Sequence, residues 1–352
     1  MSESKLWDRE SAWTERRVAA ARLVYVSIVL SVEGILTTRL SRAARPRRSP
    51  RAGAGALLVA AALFLVAAPS AGAATPRVTQ ASVISAPVRT VRTAYGTVDY
   101  RAVGHGRPLV LIMGLGGSID SWPPAFIAAL ARAHRVIAFD NEGVGSSTLR
   151  PGTLTITRMG DDTAAFIAAL HLRRPDVLGW SMGGFIAQAF AVRHPDDYRR
   201  LILSATGPGD GHAVLPSAAV IRALSGQGGN VLADLFPPDQ AREAAAFTAA
   251  ITKYPHFYAA PANVFALQLT ASTRWLTGTD PSGHHEGRIS GLTLIGDGVE
   301  DELVPSADSR HMARLIPHAR LKLYPDAGHG FIFQDQSSWA ALVDRFLAAP
   351  GG

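Results

Sequence analysis

The chain has 352 residues, 47% of them hydrophobic, which is ample for a substantial core and excludes a disordered or fibrous protein. Its net charge of +7 lies almost wholly at the start: residues 1–74 hold 11 Lys+Arg against 5 Asp+Glu, leaving 24 against 23 for residues 75–352. No basic stripe remains in the bulk of the chain, so nucleic-acid binding is not expected, and the lack of any cysteine excludes disulfides, thiolate metal sites, a cysteine nucleophile and a lipidated cysteine.

The first segment speaks to location. Arg42, Arg45, Arg47, Arg48 and Arg51 precede an uncharged apolar run, Ala54 to Pro69, followed by the small residues Ser70 to Thr75. Basic, apolar, then small is the layout of a secretory signal, with cleavage after Ala73 or Ala74. Some 50 residues precede the run, longer than the basic region of most signals. Either the true start lies downstream, or residues 1–52 are a cytoplasmic segment and the run is a membrane anchor; beside export, a membrane-anchored or a cytoplasmic protein stays open. The segments read as an extension over 1–52, a signal or anchor over 53–74 and a linker over 75–87. Membrane association is expected only through the apolar segment.

From there the chain alternates two periods. Thr90 to Val103 reads as two short strands about Tyr95 and Gly96. Pro108 to Met113, Arg135 to Asp140, Asp176 to Gly179 and Leu201 to Ala205 are continuous apolar runs of the kind buried on both faces of a sheet. Between them, Trp122 to Ala133, Ile156 to Leu172 and Met182 to Arg193 carry helical spacing. Strands alternating with helices of this length indicate βαβ units, an α/β fold with a mostly parallel central sheet flanked by helices. The rhythm breaks over 207–289, where helical pieces at Ser217 to Leu224, Asp239 to Lys253 and Ala262 to Leu276 are joined by Gly/Pro loops. It resumes over 290–348 with strands at Leu292 and Arg320 and helices at Ser306 to Ile316 and Ser337 to Leu347. The core is thus 88–206 with 290–348, and 207–289 is a helical cap over the carboxyl ends of the strands, where ligands of such sheets bind.

The chemistry concentrates in DVLGWSMGG, Asp176 to Gly184. A strand that turns straight into a helix at Ser181 needs small neighbours; Gly179 and Gly183 give room and Gly184 allows close packing behind. The serine then stands at a helix N-terminus that favours developing negative charge. A hydroxyl needs a base, and the base a partner. His329, in the Gly-flanked DAGHGF after the strand at Arg320, is the base candidate. The loop Gly296 to Pro305 offers the acids Asp297, Glu300, Asp301 and Glu302.

These motifs resemble the α/β-hydrolase superfamily, serine-hydrolase type with a helical cap, through most of 88–348. The resemblance rests on MGLGGSIDSW (Met113 to Trp122), DNEGVGSS (Asp140 to Ser147), Asp301 followed by Val304-Pro305, and Gly328-His329. It implies a catalytic Ser181, His329 and Asp301, with the Leu115 and Met182 amides as oxyanion donors. Three departures stand out: Met113 where many members have His, Glu142 where Arg is frequent, and a loop from Gly296 to Asp301 two residues longer, which leaves Asp297 or Glu300 open as the acid. Asp140 and Glu142 read as turn-formers, and His284, His285 and Glu286 as a surface loop of the cap. Phe247, Tyr254, Phe257, Tyr258, Phe265 and Trp275 could line an acyl pocket or fill the cap's core.

The resemblance implies a serine hydrolase without cofactor or metal, acting on a small ester-type substrate through an acyl-enzyme. Perhydrolase (haloperoxidase-like), lactonase, peptidase or carbon–carbon bond hydrolase activity on the same triad, and a triad-retaining ligand-binding receptor, are the alternatives. If the leader is a cleaved signal, N-terminal sequencing of the exported chain will begin at Ala74 or Thr75; a mature protein that retains the apolar run contradicts cleavage.

Overall fold

The apolar runs become the centre of one sheet because their alternate side chains have two layers to enter. A computed structural model describes residues 77–224 and 234–350; the signal or anchor segment and the extension before it lie outside the described residues. Among the described residues no helix is long and apolar enough to cross a membrane. Eight strands run in the order β1 (Arg89–Thr93), β2 (Gly96–Val103), β4 (His134–Phe139), β3 (Arg107–Ile112), β5 (Asp176–Trp180), β6 (Arg200–Ser204), β7 (Leu292–Gly298), β8 (Ala319–Tyr324). The β1–β2 hairpin is antiparallel and β2 meets β4 antiparallel, while all other pairs are parallel.

The period of two is visible in β3. Leu109 and Leu111 enter one apolar layer with Trp122, Phe126, Trp339 and Phe346; Val110 and Ile112 enter the other with Phe166, Ile186, Phe190 and Met312. The first layer packs α2 (Pro124–Leu130), the short α9 (Phe331–Gln334) and the C-terminal α10 (Gln336–Ala348) on the sheet, and the second packs α3 (Ile156–Ala169), α4 (Met182–Arg193) and α8 (Ser306–Leu315). α2 begins two residues after Trp122 because Pro124 takes the first helical position, where a missing N–H costs nothing.

The stretch read as a linker carries a short helix, α1 (Gln80–Ser85). Thr79 and Ser82 cap it reciprocally, and Val83 is fully buried in the first layer. Only one of its six residues is buried, so its apolar pattern is too thin to mark a helix.

The described part of the insertion holds α5 (Ala218–Leu224), α6 (Ala241–Ile251), α7 (Ala262–Leu276) and a 3-10 turn, Gly283–Arg288. It meets the core just past the carboxyl ends of β3 and β4: the Ala260 N–H donates to Gly116 O and the Tyr258 hydroxyl to Asp140. Its aromatic residues largely serve as core and anchors. Phe247 stacks on Phe333 with centroids 4.6 Å apart, the Tyr254 hydroxyl donates to Trp122 O, and the Trp275 indole donates to Gly207 O while stacking on Phe185.

Of the surface loop expected at His284 to Glu286, His284 is exposed and His285 half-buried, and the structure corrects the reading at Glu286 alone. Glu286 is buried and accepts the Gly209 N–H, and burial pushes its carboxyl up to about 7. The two ends of the insertion meet here: a Cβ at Gly283 would lie 2.1 Å from Gly209 O, whereas one at Gly287 meets nothing nearer than 3.7 Å. Gly283→Ala is expected to cost about 1–3 kcal/mol as overpacking against backbone, and Gly287→Ala less than about 0.5 kcal/mol. Thermal unfolding of the two variants side by side checks the contrast.

Candidate active site

Ser181 alone joins β5 to α4, and it does so at φ 57°, ψ −126°. A non-glycine residue held there costs about 1–3 kcal/mol, so the surroundings must enforce it. They do so by backbone approach: a Cβ at Gly179 would sit 2.2 Å from Gly183 O, and one at Gly183 2.0 Å from Ile112 O. Gly184 presses against Thr206, whose hydroxyl donates to Ser181 O at 2.9 Å, and the Ser181 N–H donates to Ser204 O at 2.9 Å. The turn is clamped from β3 and β6 at once.

The loop after β3 passes directly over this serine, since a Cβ at Gly114 would lie 3.0 Å from Ser181 Cβ. Its groups are pinned one by one. Asn141 Nδ2 donates to Met113 O at 2.9 Å and the Gly117 N–H to Gly114 O at 3.2 Å. From the insertion, Gln268 Oε1 accepts the Gly116 N–H at 2.9 Å, and the Ser118 hydroxyl donates to Tyr258 O at 2.6 Å. Among the described residues the Leu115 N–H meets no acceptor. Met182 is the first residue of α4, so its N–H has no intrahelical partner either. Met182 follows the serine directly, and Leu115 follows Gly114, which packs against it.

His329 and Asp301, 28 positions apart, meet with both side chains buried: Nδ1 lies 2.7 Å from Asp301 Oδ2. Asp301 Oδ1 accepts the Leu303 and Val304 N–H groups, each at 2.8 Å. A carboxylate that accepts at Nδ1 assigns the proton there and leaves Nε2 with its lone pair. Trp180 braces the histidine loop from the other side, its indole N–H donating to His329 O at 3.1 Å and its ring 5.3 Å from the imidazole. The Trp180 and His329 contacts bring the loops after β5 and β8 together.

The choice among the acids follows from strand length. β7 does not stop at Ile295; Asp297 and Gly298 still pair with Leu323 and Tyr324, so the apparent extra loop residues are strand. Asp297 is therefore fully buried behind Asp301, with Oδ2 accepting the Ser309 hydroxyl at 2.7 Å, while Glu300 is exposed. Burial, then the charge of Asp301, pushes the Asp297 carboxyl well above the usual carboxylate range. Asp140 and Glu142 are turn-formers, as read. Asp140 accepts the Ile119 N–H at 2.8 Å and the Tyr258 hydroxyl at 2.5 Å, and Glu142 pairs with Arg150 and Arg158. Sequence reasoning had no means to find Gln268, which lies 152 positions from the amide it holds, nor the brace formed by Trp180.

A strained serine between strand and helix and a buried His–Asp pair on the loops after β7 and β8, all at the carboxyl edge of a mostly parallel sheet, mark a hydrolase of the α/β-hydrolase fold. Residues 107–336, from the start of β3 into the first residue of α10, match the alpha/beta hydrolase fold family, and the chain belongs to it. It is 30% identical over 257 residues to a 2-hydroxymuconate semialdehyde hydrolase of Pseudomonas sp. (strain CF600), covering 70% of this chain and 88% of that one. It is 29% identical over 259 residues to a poly(3-hydroxyalkanoate) depolymerase of Ectopseudomonas oleovorans, covering 69% and 85%. Among solved structures, an alpha/beta hydrolase fold protein from Chitinophaga pinensis superposes with a TM-score of 0.67 at 27% identity, over 76% of this chain and 98% of that one.

The buried Asp297 generates a pH dependence of stability. Its folded pKa is raised, so the folded state holds a proton that the unfolded state releases near pH 4, and stability falls as pH rises from there toward the folded value. Asp297→Asn removes this slope. The variant is expected to gain stability over the parent at pH 7–8 and to lose that gain near pH 4; denaturant melts across this range check the sign.

Proposed function

We propose that the protein is a carboxylic ester hydrolase working through an acyl-enzyme on Ser181. The observation that carries the reading is the 2.7 Å bond from His329 Nδ1 to Asp301, which fixes the imidazole on the same sheet edge that carries the strained serine. Ser181 Oγ adds to the ester carbonyl as its proton passes to His329 Nε2, and the carbonyl oxygen takes the negative charge. The Leu115 and Met182 N–H groups donate to that oxyanion in this reading. Its collapse breaks the bond to the alcohol, which leaves with the proton from His329. Water then adds to the acyl carbon, gives its proton to the same nitrogen, and the acid departs as Ser181 recovers its proton. Asp301 stabilises the imidazolium at each stage without taking a proton.

The surroundings support an uncharged acyl group. Trp180 and Phe333 meet edge to face beside His329, and Leu235 and Phe236 pack on the loop at Gly330, so apart from Asp301 these groups near the imidazole are apolar. The basic, apolar and small residues between Arg42 and Thr75 support placing the activity outside the cytoplasm. A second reading, carbon–carbon bond hydrolysis, draws on the similarity to a 2-hydroxymuconate semialdehyde hydrolase.

Short-chain p-nitrophenyl esters test the proposal. Ser181→Ala and His329→Gln are expected to lower kcat by about 10⁶-fold and Asp301→Asn by about 10⁴-fold, with Glu300→Gln near the parent. Esterase activity that survives Ser181→Ala would contradict the mechanism. A higher kcat/KM for 2-hydroxymuconate semialdehyde than for any ester would favour the second reading, and ligand binding without turnover would favour a receptor.

A further inference from the structure

Away from Ser181, the loop that leaves β6 for the insertion comes against α8 through three side chains the hydrolytic site does not use. Asp210 and His212 lie on the loop and His311 on the helix, and one ligand atom from each falls within 4.8 Å of the other two. His311 Nε2 is 2.7 Å from Asp210 Oδ2, and His212 Nδ1 is 3.5 Å from the same oxygen. The His212 N–H donates to Asp210 Oδ1 at 3.0 Å, which fixes the carboxylate and turns Oδ2 toward both imidazoles.

We propose that Asp210, His212 and His311 bind a divalent transition-metal ion of the zinc class. Two imidazoles and one carboxylate are borderline donors that select zinc, nickel, cobalt or copper over magnesium or calcium. With bonds of about 2.0–2.2 Å, tetrahedral ligand atoms stand roughly 3.3 Å apart. The observed spacings bracket that value: His311 and Asp210, at 2.7 Å, must part by a few tenths of an ångström to admit the ion, and His212, whose side chain is 77% exposed, is free to close on it. The exposed side leaves the fourth position to water. A second carboxyl adds negative charge one helical turn before His311, where Asp308 accepts the Val214 N–H at 2.8 Å and keeps its other oxygen buried without a protein partner.

The ion's role is structural. α8 follows directly on the segment that carries Asp301, and the loop with Asp210 leads into the insertion over the site. One ion joining them fastens the entry of the cap to the helix behind the acid, a link that otherwise rests on the His311–Asp210 pair and the Val214–Asp308 bond.

Titration calorimetry of the full chain, free of any histidine tag, with zinc chloride tests the site. The expected result is one zinc per chain, no comparable heat from magnesium chloride, and a melting temperature about 5 °C higher at 100 times the dissociation constant. His212→Ala, an exposed change that should leave the metal-free melting temperature in place, is expected to weaken zinc binding at least about 10-fold, as is His311→Ala. Cobalt should give visible d–d bands that His212→Ala abolishes. Equal zinc affinity in the parent and both variants overturns the proposal, as does the absence of stoichiometric binding or equal binding of magnesium.

Discussion

The site depends on one steric constraint: the backbone of α4 must come within contact of the backbone of β3 and of its own preceding strand. At Gly183 and Gly179 there is no space for even a methyl group, because carbonyl oxygens occupy the place where it would go. That approach forces Ser181 into a left-handed turn, lifts its side chain off the sheet edge, and aims the first amides of the helix at the same point. Strain at this residue is held by hydrogen bonds from β6 and the loop after it, not by the serine's own preferences.

The other components converge on this turn from separate layers. Asp301 and His329 follow β7 and β8, and their loops are locked by backbone bonds such as Glu300 N–H to Ala327 O. The loop over the serine is held from above by Gln268, Ala260 and Tyr258 of the insertion. The cap therefore does more than cover the edge; it sets where the Leu115 amide stands. Divergence in the insertion would shift the loop it holds, in a fold whose members carry different hydrolytic activities on one scaffold.

Much of this was legible in the chain. The buried runs of β3, β5 and β6 and the helix Ala262–Leu276 could be located because burial on both faces or one stripe leaves a regular apolar pattern. The serine, the histidine and the order of the motifs were legible for a similar reason, since tight turns admit few residue types. What escaped is instructive. α1 buries a single residue and leaves almost no pattern; β7 runs two residues past its apolar part because Asp297 and Gly298 continue the pairing; and Glu286, in a polar-looking HHE triplet, is buried by the approach of two glycines from opposite ends of the insertion.

Local sequence thus specified the class of fold, the elbow and the candidate nucleophile and base, because periodicity and glycine placement act over a few residues. The selection of Asp301 over Asp297 and Glu300 beside His329, the brace from Trp180 and the grip of Gln268 on the loop at Gly116 belong to tertiary structure alone. They join residues 28, 149 and 152 positions apart, and a contact of that separation exists only once the sheet has brought its carboxyl ends, and the insertion above them, to one place.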